Sequence, residues 1–343
     1  MGLGAAEIEA LIRAVEQPAY RARQIAAWAY RRGARTWAEM TDLPRALRDA
    51  LSAEWRIGAC DVARCIDARD GVRKYLLSLH DGQTIESVYL PYVDRVSVCV
   101  SSQVGCAVGC AFCATGVGGL ARDLTSGEIV DQVLALQRDN PERRISHVVY
   151  MGMGEPLLNY DAVVASIRLL AVEVGISARR LTVSTVGVAP AIRRLAEEDL
   201  PVALALSLHA PDDDLRSELV PAGRKWRIAE VLDACRVYHG RTGRNLTFEY
   251  ILLECVNDAP EQATRLAESL EGLPGNVNLI PYNPSDSSVG FRTPRASRVR
   301  AFRAVLEGAG RPTTQRMQRG RPIDAACGQL RRRAAHSAHP SVP

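Results

Sequence analysis

The chain has 343 residues, 47% of them hydrophobic, and a formal charge of +4, which suits one large α/β domain plus a small accessory unit around a sizeable core. No apolar run approaches the ~20 residues of a membrane span, and the start MGLGAAEIEA lacks the charged-then-apolar pattern of a secretory signal, so a cytoplasmic protein with no membrane contact is expected. Nine cysteines in such a protein favour ligation or catalysis over a disulfide framework, and Arg greatly outnumbers Lys, which fits either an RNA partner or a genomic compositional bias.

The first fifty-odd residues predict helices over Ala5–Val15, Tyr20–Arg31 and Pro44–Trp55, with Gly33 and Pro44 as punctuation. Arg21, Arg23, Arg31, Arg32 and Arg35 would make this an RNA-contacting module; a plain helical cap fits the same pattern. From Val72 to Leu90 the pattern changes to VRKYLLSL, a turn at Asp81-Gly82, and TIESVYL, which predicts a β-hairpin. Strand-like runs then follow at 97–101, 147–151, 180–185, 202–208, 246–252 and 277–281, alternating with helical stretches. The first of those helices opens with a capping box, Thr125-Ser-Gly-Glu128. Six such βα repeats specify a parallel sheet, either open and doubly wound or a partial barrel. The division expected is a helical accessory domain at 1–60, a hairpin extension at 61–91, the α/β core at 92–322, and a C-terminal segment at 323–343 ending in a basic, disordered tail.

Cys106-Ala-Val-Gly-Cys110-Ala-Phe-Cys113 supplies three thiolates in eight residues and no fourth. A [4Fe–4S] cube held at three irons leaves its fourth iron open to a small ligand; half of a structural zinc site is the alternative. In a parallel barrel the chemistry collects on the loops after the strands. Here those loops carry, in turn, the cysteines, Gly152-Met-Gly154-Glu155-Pro, Ser184-Thr-Val-Gly, Ser207-Leu208-His209, and Pro281-Tyr-Asn283-Pro. Glycines allow close backbone approach, and the polar residues offer contacts to a ribose, an amine or a carboxylate.

Two further cysteines stand apart. Cys99 lies in the strand leading to the cysteine loop, and Cys327 lies in a glycine-bracketed segment suited to a mobile loop and a nucleophilic thiol. Cys60, Cys65, Cys235 and Cys255 read as small hydrophobes. Alternation puts Glu86 on one strand face with Val88 and Leu90, so it is either a carboxylate on an apolar face, able to exchange protons near neutrality, or a solvated edge residue.

Cys99-Val-Ser-Ser-Gln-Val-Gly-Cys106, Cys110-Ala-Phe-Cys113, GMGEPLLN, STVG, SLHAP, NLIPYNP and IDAACGQL together resemble the RlmN/Cfr family of radical S-adenosylmethionine (SAM) RNA methyltransferases, over nearly the whole chain. The resemblance implies a partial (β/α)6 radical SAM barrel with a small N-terminal helical domain. It implies that Cys106, Cys110 and Cys113 hold one [4Fe–4S] cluster, and that Gly154, Glu155, Ser184, Ser207, Leu208, His209 and Asn283 position SAM. Two SAM molecules are consumed: one methylates Cys327, and the other gives a 5′-deoxyadenosyl radical that takes a hydrogen from that methyl group. The carbon radical adds to carbon 2 of an adenine, Cys99 resolves the adduct through a transient disulfide with Cys327, and Glu86 accepts a proton. The expected substrates are 23S rRNA at the peptidyl-transferase centre and the tRNA adenine beside the anticodon, with an electron donor such as flavodoxin and a monomeric enzyme. An adenine must be unstacked to reach such a site. Ile323-Asp-Ala-Ala before Cys327 fits the carbon-2 branch better than the Cfr-like carbon-8 branch, while Gln315-Arg-Met-Gln-Arg319 is less basic than the family segment there. A radical SAM enzyme acting on a non-RNA substrate and a zinc-stabilised RNA-binding protein are the other readings.

Overall fold

The computed structural model describes residues 2–284, 290–317, 319–320 and 323–330; the tail expected to be basic and disordered lies outside the described residues. Three helices open the chain: α1 (Ala5–Ala14), α2 (Tyr20–Ala26) and α3 (Arg45–Glu54). The helix predicted over 20–31 ends its α-helical part at Ala26 and continues as one π turn, Ala27–Arg31. Ile8, Ile12, Ile25, Leu47 and Leu51 bury the apolar stripes that the spacing predicted.

The next segment departs from the two-stranded expectation. Three strands, β1 (Cys60–Asp67), β2 (Arg73–Leu79) and β3 (Thr84–Pro91), form an antiparallel meander rather than a single hairpin. The Asp81-Gly82 turn is as predicted, with Gly82 at φ +80°. β1 escapes the sequence pattern because most of its residues face solvent, so it shows no apolar alternation.

β4 (Val96–Cys99) pairs antiparallel with β3 and starts the parallel core. A short ribbon, β5 (Gln103–Gly105) with β6 (Leu120–Asp123), flanks the cysteine loop and its turn of helix α4 (Ala114–Val117). The parallel strands β7 (His147–Tyr150), β8 (Leu181–Thr185), β9 (Ala203–Ser207), β10 (Leu246–Leu252) and β11 (Gly275–Pro281) extend the sheet from β4. A seventh parallel strand, β12 (Thr313–Gln315), pairs with β11 and was not foreseen; three residues are too few to show a period. The resulting order is β1-β2-β3-β4-β7-β8-β9-β10-β11-β12.

Helices α5 (Ser126–Asp139), α6 (Tyr160–Leu169), α7 (Ala189–Leu195), α8 (Asp213–Leu219), α9 (Ile228–Thr242), α10 (Pro260–Ser269) and α11 (Ala296–Gly308) connect the strands. The α5 cap forms as read from the sequence: Thr125 N donates to Glu128 Oε2 at 2.8 Å, and Glu128 N donates back to Thr125 Oγ1 at 3.2 Å. Among the described residues no helix is long and apolar enough to cross a membrane.

Candidate active site: two cavities that share a cysteine

The loops at the carboxyl ends of the parallel strands converge, as a parallel barrel requires. A first cavity is lined by Cys106, Cys110 and Cys113 together with Gly154, Glu155, Ser184, Ser207 and His209. The cysteine loop is held from below by a satellite apolar cluster of Phe112, Val186, Leu219, Val220, Ile251 and Ile280. Phe112 meets the His209 ring edge-on, with centroids 4.9 Å apart. Among the described residues no three or more His, Cys, Asp and Glu side chains converge on a single-ion site. The three thiols instead share one cavity wall. Three thiols on one wall are the donor set that a cluster with one open iron takes. The cysteines fit a [4Fe–4S] cube.

The glycines of the Gly152–Pro156 loop are there for close approach. A Cβ on Gly152 would meet Val100 O at 2.6 Å, and Gly154 has φ +101° with Gln103 Cβ 2.6 Å from where its own would stand. This close packing brings Glu155 beneath the cavity floor. Its carboxylate accepts from Leu157 N at 3.0 Å and Val186 N at 2.8 Å, and burial, resisted by those bonds, pushes its pKa up to about 7. His209, at φ +63°, accepts from Ile251 N at Nδ1 (3.1 Å). Burial first, and the Arg216 guanidinium second, bring its pKa down to about 3, so the ring is neutral with Nε2 as its donor. Ser184 and Ser207 place their hydroxyls 3.4 Å apart on neighbouring strands. A buried carboxylate, a neutral imidazole and two hydroxyls make a polar cradle able to hydrogen-bond the amine and hydroxyl groups of a ligand.

A second cavity adjoins the first and is lined by Val88, Leu90, Cys99, Asn283, Arg316 and Cys327, among others. Four residues, Met151, Ile280, Arg316 and Cys327, line both. Cys327 is the one described cysteine on both walls, and Cys99 faces only the second cavity. All nine cysteines are free, so the disulfide expected between these two is absent from this state. Burial raises both thiols, Cys99 to about 12, while the Arg316 guanidinium pulls Cys327 the other way.

The Cys327 segment is docked instead of forming the free loop that its glycines suggested. Ala114 N donates to Gly328 O at 2.8 Å, Thr115 Oγ1 to Leu330 O at 2.5 Å, and Gln329 Nε2 to Pro284 O at 2.9 Å. Those bonds fasten it to the cysteine loop on one side and to the loop after β11 on the other.

Three expected residues sit elsewhere than the sequence suggested. Asn283 lines the second cavity, and its Oδ1 is buried without a partner among the described residues, an acceptor left for a ligand there. Leu208 is fully buried in the core, and its N–H donates to Glu249 O at 3.1 Å. Glu86 lies neither on a bare apolar face nor at a solvated edge; it is buried against the Lys74 ammonium, 3.3 Å away. Sequence reasoning missed Arg316, Glu249 and Lys74. Lys74 left a faint signal as one of two lysines among 43 basic residues.

Comparison with known proteins shows the family. Residues 100–267 match the radical SAM superfamily, and residues 1–57 match the ribosomal RNA large subunit methyltransferase N-terminal domain. A probable dual-specificity RNA methyltransferase RlmN from Thermus thermophilus is 50% identical over 91% of this chain and 88% of its own length. One from Symbiobacterium thermophilum is 48% identical over 97% and 91%. The crystal structure of a radical SAM methyltransferase from Sphaerobacter thermophilus superposes with a TM-score of 0.93, at 49% identity, over 96% of this chain and 98% of that one. SAM-bound SuiB from Streptococcus suis shares the fold alone, with a TM-score of 0.50 at 14% identity over 66% of this chain and 52% of its own. The chain belongs to the RlmN family of radical SAM RNA methyltransferases, enzymes that work with a [4Fe–4S] cluster and SAM on RNA.

Proposed function

We propose that this enzyme methylates carbon 2 of an adenine in 23S rRNA and of the tRNA adenine beside the anticodon, with Cys327 carrying the methyl group between two SAM-dependent steps. The observation that carries this reading is the position of Cys327 on the wall common to both cavities, with Cys99 facing only the second. When bound, the cluster and SAM supply a transferable methyl group and a hydrogen-abstracting radical; adenine C2 has no lone pair for ordinary methyl transfer, so such chemistry is needed.

Cys106, Cys110 and Cys113 hold the cluster, and Glu155, Ser184, Ser207 and His209 hold SAM, with Gly154 giving it room. Leu208 acts through its backbone. Asn283 serves at the boundary with the second cavity, which takes the unstacked adenine. Glu86 takes the proton from C2 of the radical adduct, whose odd electron would go to the one-electron acceptor that an iron–sulfur cluster supplies. Cys99 attacks the Cys327 sulfur: a Cys99–Cys327 bond forms, the sulfur–carbon bond breaks, and the carbon leaves with the electron pair and is protonated to methyl. An external thiol then reduces the disulfide. The N-terminal helices, with their arginines, support RNA binding, and flavodoxin is the expected class of electron donor.

Mass spectrometry of nuclease digests from a deletion strain tests the assignment. Loss of 2-methyladenosine from both RNAs is expected. Loss of 8-methyladenosine instead would establish the Cfr-like branch, and unchanged RNA would overturn the reading.

A further inference from the structure

We propose that Lys74 is a positioning residue of this reaction, its ammonium joining the Glu86 carboxylate to the segment that carries Cys327. The inference deepens the reading above and rests on Glu86 being the proton acceptor there. Lys74 Nζ lies 3.3 Å from Glu86 Oε1 and donates to Asp324 O at 3.1 Å. The two side chains are 3% and 2% exposed. One ammonium therefore links β2, β3 and the backbone three residues before Cys327.

A buried ion pair is a poor way to stabilise a sheet, because desolvation offsets the attraction and an apolar pair often does as well. Lys74 sits in β2 opposite Val88 and next to the buried Tyr75, in surroundings that would accept such a pair. A charge kept there calls for another reason.

Position makes the link useful. Val88 and Leu90 line the second cavity beside Cys99 and Cys327, and Glu86 continues the same strand face by period two. The Glu86 backbone is fixed on both sides, its carbonyl accepting from Ser101 Oγ at 2.7 Å and its N–H 3.4 Å from Met153 Sδ. Lys74 is a side-chain partner of that carboxylate. Asp324 holds φ +53°, a left-handed conformation that a non-glycine residue keeps only under constraint, and the Lys74 bond is one such constraint. The ammonium holds the Glu86 carboxylate where it would accept the C2 proton, the odd electron of the radical adduct passing to the one-electron acceptor that the cluster would supply. The same bond holds the methyl carrier in register with that base.

The test uses full-length, cluster-reconstituted enzyme and 23S rRNA transcribed in vitro, with each rate taken relative to wild type at the same pH. Lys74→Gln keeps donors for both partners and loses the charge. It should retain iron and S-methylated Cys327, keep its KM for RNA within about twofold, and lose about tenfold or more of kcat, because the base is present but no longer held in place. Glu86→Gln should be inactive. A Lys74→Gln variant with wild-type kcat, or one whose loss lies wholly in KM, would overturn the inference while leaving Glu86 as the base, and normal turnover by Glu86→Gln would overturn the base and the inference together. Should Lys74→Gln fail to hold iron, Lys74→Arg, which keeps the charge, must restore iron and kcat; its failure to do so would also overturn the proposal.

Discussion

On the proposed route Cys99 and Cys327 divide the labour of one sulfur relay, and removing each should fail differently. Cys99→Ala should still build the Cys327–methylene–adenine link and be unable to release it, so it should copurify with RNA attached at Cys327, readable by peptide mass spectrometry after nuclease digestion. Normal turnover by that variant would show that the methyl travels another way. Glu155 makes a pH-dependent prediction. Its pKa is raised to about 7 by burial, so the ionised form that can accept the SAM amine prevails only above that. SAM affinity, measured by equilibrium dialysis, should fall about tenfold for each pH unit below 7 and lose this dependence in Glu155→Gln. In the ligand-free protein the raised pKa works against stability on the alkaline side. The folded state keeps a proton that the unfolded chain has shed, so the contribution is whole below the ordinary carboxyl range and lost as pH rises through about 7. The three cluster cysteines, Cys99 and Cys327 were legible from spacing and resemblance. Lys74, Glu249 and Arg316 were not, because each acquires meaning only when strands far apart in sequence bring it to the two cavities.

At the level of elements, apolar rhythm exposed the six core strands and three opening helices, since buried parallel strands read as continuous hydrophobic runs. It failed on β1, whose residues are mostly solvent-facing, and on β12, which is too short. It also failed to show how the meander is fastened to the core. Asp131 on α5 accepts from Ala59 N at 2.7 Å and Cys60 N at 2.8 Å where β1 begins, and Arg138 two turns further lies 3.3 Å from its other oxygen. Asp131→Ala leaves two buried N–H groups without partners and should cost about 2–4 kcal/mol in denaturant unfolding. A loss within about 0.5 kcal/mol would show that water or a neighbour replaces the carboxylate.

For the whole molecule, the fold brings to one place two pieces of chain far apart in sequence: the strand carrying Cys99 with the cysteine loop that follows it, and the docked segment 323–330. Cys327 stands where the two cavities meet, so on the proposed route the enzyme is a queue with a single place. Protein purified from cells would already carry its methyl, and a SAM molecule supplied in the tube would donate a carbon that waits one turnover before reaching RNA. Given SAM labelled with heavy carbon in its methyl group, the first product, in an amount equal to the enzyme, should contain the light carbon it arrived with. Label should enter the RNA only from the second equivalent onward, and heavy carbon in the first would mean that nothing waits at Cys327.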